Sequence, residues 1–215
     1  MLRVTTAPVH TLGEPSLKHL RYTGLFMHSG RDVFHKYRFW MDFLIRISNA
    51  IPTPLLSVVG HMPGNAGVLG RYLWAKKAFR ALGDVCYIAP SCVFKNTSEL
   101  SIGDRFSIHQ FSYIDALGGV SIGNDVAIAH GSSILSSNHQ WHNLDAPIKY
   151  NEVVRSPVEI GNDVWIGCGV RILPGTHIHP QVVVAAGAVV RGVLESGFLY
   201  GGVPAKKIRA LSSAD

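Results

Sequence analysis

The stretch Ile160–Val190 reads IGNDVW, IGCGVR, ILPGTH, IHPQVV, VAAGAV, with Val190 opening the next unit. An aliphatic residue starts each six-residue unit: Ile160, Ile166, Ile172, Ile178, Val184 and Val190. The fifth place holds Val164, Val170, Thr176, Val182 and Ala188, all small or β-branched. The same beat runs earlier as IGDRFS from Ile102, IHQFSY from Ile108 and IDALGG from Ile114, then as IGNDVA from Ile122 and IAHGSS from Ile128 to Ile134. A fixed internal period is the first thing to settle in a chain. Six residues match neither helical periodicity nor strict alternation. They fit a coil of short parallel strands joined by turns, with three units to each turn of a triangular solenoid. The opening aliphatic points inward and stacks on its counterpart one coil away, and the small fifth residue fills the cramped corner. Turn formers sit where the corners fall, at Gly103-Asp104, Gly123-Asn124, Gly161-Asn162 and Pro174-Gly175. Each coil buries its faces only against its neighbours. A β-sandwich has no reason to keep one period.

These repeats, with the stretches NDVWIG (Asn162–Gly167) and GGVPAKKIR (Gly201–Arg209), resemble the hexapeptide-repeat acyltransferases, and among them the sugar and polysaccharide O-acetyltransferases. The resemblance runs over roughly Gly83 to Leu211. It implies an all-β solenoid, a left-handed parallel β-helix, whose hand departs from the usual right-handed crossover rule. The chain then divides into an N-terminal arm and helical segment (1–82), the β-helix with a protruding loop at 138–157 (83–192), and a closing strand and basic tail (193–215).

Composition narrows the partners. Hydrophobic residues make up 47% and charged residues 16%, which suits a well-buried solenoid and argues against disorder. The net charge of +6 points to an anionic partner: nucleic acid, a membrane surface or a phosphorylated ligand. No basic run with interleaved aromatics and no helix-turn-helix pattern is present, so nucleic acid is not expected. Cys86, Cys92 and Cys168 make neither a disulfide framework nor a zinc spacing; no metal is expected, and the chain reads as cytoplasmic. Residues 1–30 are polar and aperiodic, without an apolar signal-peptide core.

Val33–Ile51 places Phe39, Trp40, Phe43, Leu44 and Ile47 at helical spacing, ended by Pro52 and Pro54. Its apolar run is far below the roughly 20 residues that span a bilayer. Two readings stand for this helix: packing against the solenoid or a sister subunit, or lying on the inner membrane face with His35, Lys36, Arg38 and Arg46 near headgroups. A second helix is expected over Gly70–Leu82, closed by Gly83 and capping the solenoid's open end.

Between Ile134 and Ile160 the beat stops, and a long irregular insertion inside a compact repeat is usually functional. Acyl transfer from a thioester to a hydroxyl needs a base for the attacking hydroxyl, a donor for the oxyanion and a proton for the leaving thiolate. One neutral imidazole serves the first and last. His139, where the repeat breaks, is the candidate, and the resemblance implies the same residue as catalytic base. His142 is its competitor, while His109, His130, His177 and His179 fall in repeat strands or turns. The second imidazole nitrogen needs an acceptor: a backbone carbonyl, Asp115 or Asp145. Trp165 follows a fifth-place residue and should point outward, as an active-site wall or a subunit contact.

The resemblance further implies an acceptor-binding position at Ser112 and an acidic one near Asp115. It implies a coenzyme A arm passing Cys168, Ala186, Val190 and Arg191, phosphates meeting Lys206 and Arg209, and a homotrimer. The expected activity is acetyl-CoA-dependent O-acetylation of a sugar in a polysaccharide, lipopolysaccharide or oligosaccharide. Within the same fold, serine O-acetylation and a zinc carbonic anhydrase built on three converging histidines are the alternatives.

Overall fold

A computed structural model describes residues 32–211. The expected N-terminal arm at 1–30 lies outside the described residues.

From Ala81 the chain winds as a parallel β-solenoid of about six turns. Its first face stacks Ala81–Leu82, Leu100–Ile102, Val120–Ile122, Val158–Ile160, His177–Ile178 and Val193–Leu194. The second stacks Tyr87–Ile88, Ser107–Ile108, Ala127–Ile128, Val164–Ile166, Val182–Val184 and Phe198–Gly201. The third stacks Val93–Lys95, Tyr113–Asp115, Ser133–Leu135, Arg171–Ile172 and Val189–Val190. Every one of these pairings is parallel. The unit-opening aliphatics from Ile102 to Val190 and the fifth-place residues from Val164 to Ala188 are all buried, in one continuous core.

The corner between the first and second faces shows why the turn residues recur. The backbone N–H of Asp84 donates to Asp104 Oδ1, that of Asp104 to Asn124 Oδ1, and that of Asn124 to Asn162 Oδ1, each at 2.8 Å. This side-chain ladder needs glycine one residue earlier: a Cβ on Gly123 would lie 2.4 Å from Asn162 Oδ1. Pro180 takes the corresponding place in the next coil and offers no side-chain oxygen to accept from the Asn162 N–H, so the column stops there.

The ends differ from the sequence expectation. The helix Val33–Ile51 is broken into α1 (Asp32–Lys36), a 3₁₀ turn (Arg38–Trp40) and α2 (Met41–Ala50). Pro52 and Pro54 do end α2, and Pro54 then sits in the first turn of α3 (Thr53–Gly60), where its missing N–H costs nothing. The second helix, α4, spans Gly64–Ala78 rather than Gly70–Leu82. Glycine permits this early start: a Cβ on Gly67 would fall 1.8 Å from Met62 O, and one on Gly70 2.8 Å from Gly60 N, so α3 and α4 pack almost backbone to backbone. Phe79 is already extended, and Ala81–Leu82 pairs with Ser101–Ile102 as the first strand, because sheet pairing outcompetes another helical turn. α4 packs on the first coil through Tyr72 and Ala75, with Tyr72 Oη 3.3 Å from Asp84 Oδ1. At the other end the coil runs past residue 192: Val193–Leu194 and Phe198–Gly201 still add parallel strands, and only then does Lys206–Ala210 fold back antiparallel.

Candidate active site

The insertion after Ile134 is built on a two-stranded ribbon. Ser137–His139 pairs antiparallel with Val153–Arg155, His139 opposite Val153, and Gln140 N donates to Glu152 O at 2.8 Å. Its root is held by buried Ser136, whose hydroxyl donates to Asp115 O at 2.8 Å and accepts from Gly118 N at 2.9 Å. Ser156 N donates to Ser136 O at 2.8 Å and Gly175 N to Ser156 O at 3.2 Å, tying the return strand to the next coil. A Cβ on Gly118 would be 2.1 Å from Ser136 O, so glycine is required there. Farther out, Asn151 brackets the loop by accepting from Asn143 N and donating to Asn143 O, both at 3.1 Å.

His139 is therefore displayed on a fixed strand end and is exposed. Its ring makes no hydrogen bond or ion pair with another described residue. His142 lies farther along the loop, its ring 5.8 Å from that of Trp141. Asp115, at the end of its third-face strand, is occupied: its carboxylate accepts from Asn96 Nδ2 at 2.7 Å and Leu117 N at 3.2 Å. Asp145 lies within the loop and is exposed.

The other sequence-identified residues fall elsewhere on the prism. Cys168 and Ala186 stack at the edge between the second and third faces, where Gly187 N donates to Cys168 O at 2.8 Å. Gly167 keeps this edge flat, since a Cβ there would meet Ala186 N at 2.6 Å. Trp165 lies on the second face, between Ala127 and Val183, and is 57% exposed. Around it is a shallow depression of about 450 Å³ lined by Ala127, Asp163, Gln181, Val183 and Leu211, with no residue of the hairpin in its wall. Lys206 and Arg209 are exposed on the antiparallel closing strand of that same face, and neither has an ion-pair partner among the described residues. Their neighbour Lys207 is paired with Glu195 instead, which holds the Glu195 carboxyl below its usual range. Arg191 is exposed where the third face turns into the first, the same edge from which the hairpin springs two coils earlier.

Two residues are less available than the family pattern suggests. Ser112 is 1% exposed, and its hydroxyl donates to Ala129 O at 3.3 Å. Val190 turns its side chain into the core, and its carbonyl already accepts from Leu173 N at 2.9 Å. Cys86 and Cys92 are also set apart from surface chemistry, since burial pushes both thiols up to about 11. Ser136, Gly118, Asn96 and Asn151 were not singled out from the sequence. Ser136 and Asn151 are signalled only by lying within the insertion, whereas Gly118 and Asn96 lie in earlier coils and no sequence pattern marks them. Among the described residues no group of three or more His, Cys, Asp or Glu is placed to hold a metal ion.

Comparison with known proteins places this geometry. The family profile for bacterial transferase hexapeptide (six repeats) matches residues 157–192. The galactoside O-acetyltransferase of Escherichia coli is 30% identical over 141 residues, covering 65% of this chain and 68% of that one. A putative lipopolysaccharide biosynthesis O-acetyl transferase of E. coli is 34% identical over 113 residues, and a probable acetyltransferase of Mycobacterium tuberculosis 34% over 110. The chain spans 58% and 37% of those two relatives' lengths. Among solved structures, a galactoside acetyltransferase in complex with coenzyme A superposes with a TM-score of 0.67 at 28% identity, covering 74% of this chain and 79% of that one. The shared architecture is the left-handed parallel β-helix.

Proposed function

The chain belongs to the hexapeptide-repeat acetyltransferases, and from that premise we propose that it transfers an acetyl group from acetyl coenzyme A to a sugar hydroxyl, with His139 as general base. The acceptor class is a polysaccharide, lipopolysaccharide or oligosaccharide. The observation that carries the reading is the display of His139: a buried serine and a required glycine root the ribbon that holds its imidazole out, exposed and unbonded to any described residue.

One imidazole nitrogen accepts the proton of the acceptor hydroxyl as its oxygen attacks the thioester carbonyl. When the carbon–sulfur bond breaks, the imidazolium returns that proton to the departing sulfur. The flat, glycine-lined edge at Cys168 and Ala186 has the shape a pantetheine arm needs, Trp165 offers an apolar wall beside it, and Arg191, Lys206 and Arg209 offer charge for phosphates. The hairpin and this edge stand on different edges of one prism. A site that uses both is completed by a second copy, so the working form is read as a cyclic homotrimer.

The test is thiol release from acetyl-CoA in the presence of a panel of sugars and glycans. Release that depends on a glycan, with an acetyl ester in the product, is expected. Release that depends instead on free serine, or no acceptor-dependent release at all, overturns the reading.

A further inference from the structure

We infer that α2 docks the helical end of the molecule on an anionic lipid surface. The sequence pattern groups Phe39, Trp40, Phe43, Leu44 and Ile47 on one apolar stripe. The structure packs the adjoining face: Met41, Leu44 and Ile45 lie against the core and Ser48 is buried, so of that stripe only Leu44 turns inward. α2 is pinned in that orientation, because Lys77 Nζ donates to the carbonyls of Ser48, Asn49 and Ile51 at 3.3, 3.4 and 2.7 Å, closing its C-terminus. The helix cannot roll its aromatic face inward without breaking these bonds. Phe39, Trp40 and Phe43 are consequently 86%, 60% and 53% exposed, with Ile47 beside them and the Trp40 and Phe43 rings edge to face at 6.0 Å.

The surroundings of this face select its occupant. Lys36, Arg38 and Arg46 are exposed on the same segment and have no ion-pair partner among the described residues. Asp42 is the single carboxylate between Val33 and Met62. Any second copy carries the same net charge of +6, and a two-fold contact would bring these cations toward their own counterparts, which is repulsive. A bilayer with anionic headgroups satisfies both features at once: the rings sit at the headgroup–acyl boundary and the cations meet phosphates. No helix among the described residues is long and apolar enough to cross a membrane, so the contact is one of lying on the surface.

The experiment is flotation of the full chain with phosphatidylcholine vesicles, with and without phosphatidylglycerol, at low and high salt. The chain is expected to float with the phosphatidylglycerol vesicles at low salt and to be released by high salt. The triple variant Phe39→Ser, Trp40→Ser, Phe43→Ser should lower the bound fraction by about tenfold or more, with a melting temperature little changed because those side chains lie outside the core cluster. Failure of the intact chain to float at low salt overturns the proposal, as does equal flotation of the variant. A variant with lower mass by light scattering, from a parent that never floats, assigns the face to a second copy instead. None of these readouts depends on acetyl transfer.

Discussion

His139 and His142 share one insertion and differ in setting, and the difference is testable. His139 ends a hydrogen-bonded strand, whereas His142 rides farther along the loop beside Trp141. His139→Ala removes the proposed base while leaving Cys168, Ala186 and the tail cations in place. Turnover in the thiol-release assay should fall by about 10²–10⁴-fold, with direct acetyl-CoA binding little changed, and His142→Ala should cost much less. Near-normal turnover in His139→Ala with a dead His142→Ala would show that the other histidine is the base. The insertion that carries His139 was legible in the sequence because a strict period makes its own interruption conspicuous. Ser112 and Val190 were carried over by position within a motif, and position does not reveal which way a side chain points or what its carbonyl already holds. Asp115 shows the same limit: its hydrogen bond to Asn96 joins residues one coil apart, and no local pattern announces it.

At the scale of the element, the period of six decided nearly every strand, since each unit repeats the same burial problem. The helical end had no such redundancy. α4 begins six residues earlier than the sequence suggested, because Gly67 and Gly70 serve close contact with α3, a property of two helices together and of neither alone. The corner ladder is the clearest case of an element held by stacking. Gly123→Ala places a methyl group 2.4 Å from Asn162 Oδ1 and 2.8 Å from the Gly161 carbonyl carbon, and neither backbone nor ladder amide has room to retreat. The substitution should destabilise the protein by about 1–3 kcal/mol, seen as a drop of several degrees in the thermal midpoint. Gly131→Ala is the control: no atom lies near its Cβ, so whatever it costs comes from its φ of +69° rather than from a clash. An unperturbed midpoint in Gly123→Ala would mean that the ladder is dispensable.

Over the whole molecule, the candidate site residues divide into two sets on different edges of a three-sided prism. The ribbon with His139 and, farther along, Arg191 belong to the edge between the third and first faces. Cys168 and Ala186 belong to the edge between the second and third, with Trp165 and the closing strand on the second face beside them. A rigid solenoid cannot fold one edge onto another, because its faces are continuous hydrogen-bonded sheets over a single core. In the proposed trimer, three copies around a three-fold axis would bring one set from each chain against the other set of its neighbour, a head-to-tail contact that closes. Light scattering should accordingly return three times the 23.4 kDa chain mass. A mixing experiment tests the sharing of the site itself. His139→Ala disables the first set and Ala186→Arg, which fills the exposed small-residue edge, disables the second. Each variant alone should be inactive. Dissociated, mixed in equal amounts and reassembled, they should regain about a quarter of wild-type turnover, because one contact in four joins the intact edge of one variant to the intact edge of the other. If both sets act within a single chain, every mixed trimer stays inactive, and the absence of recovery would place the whole site on one subunit.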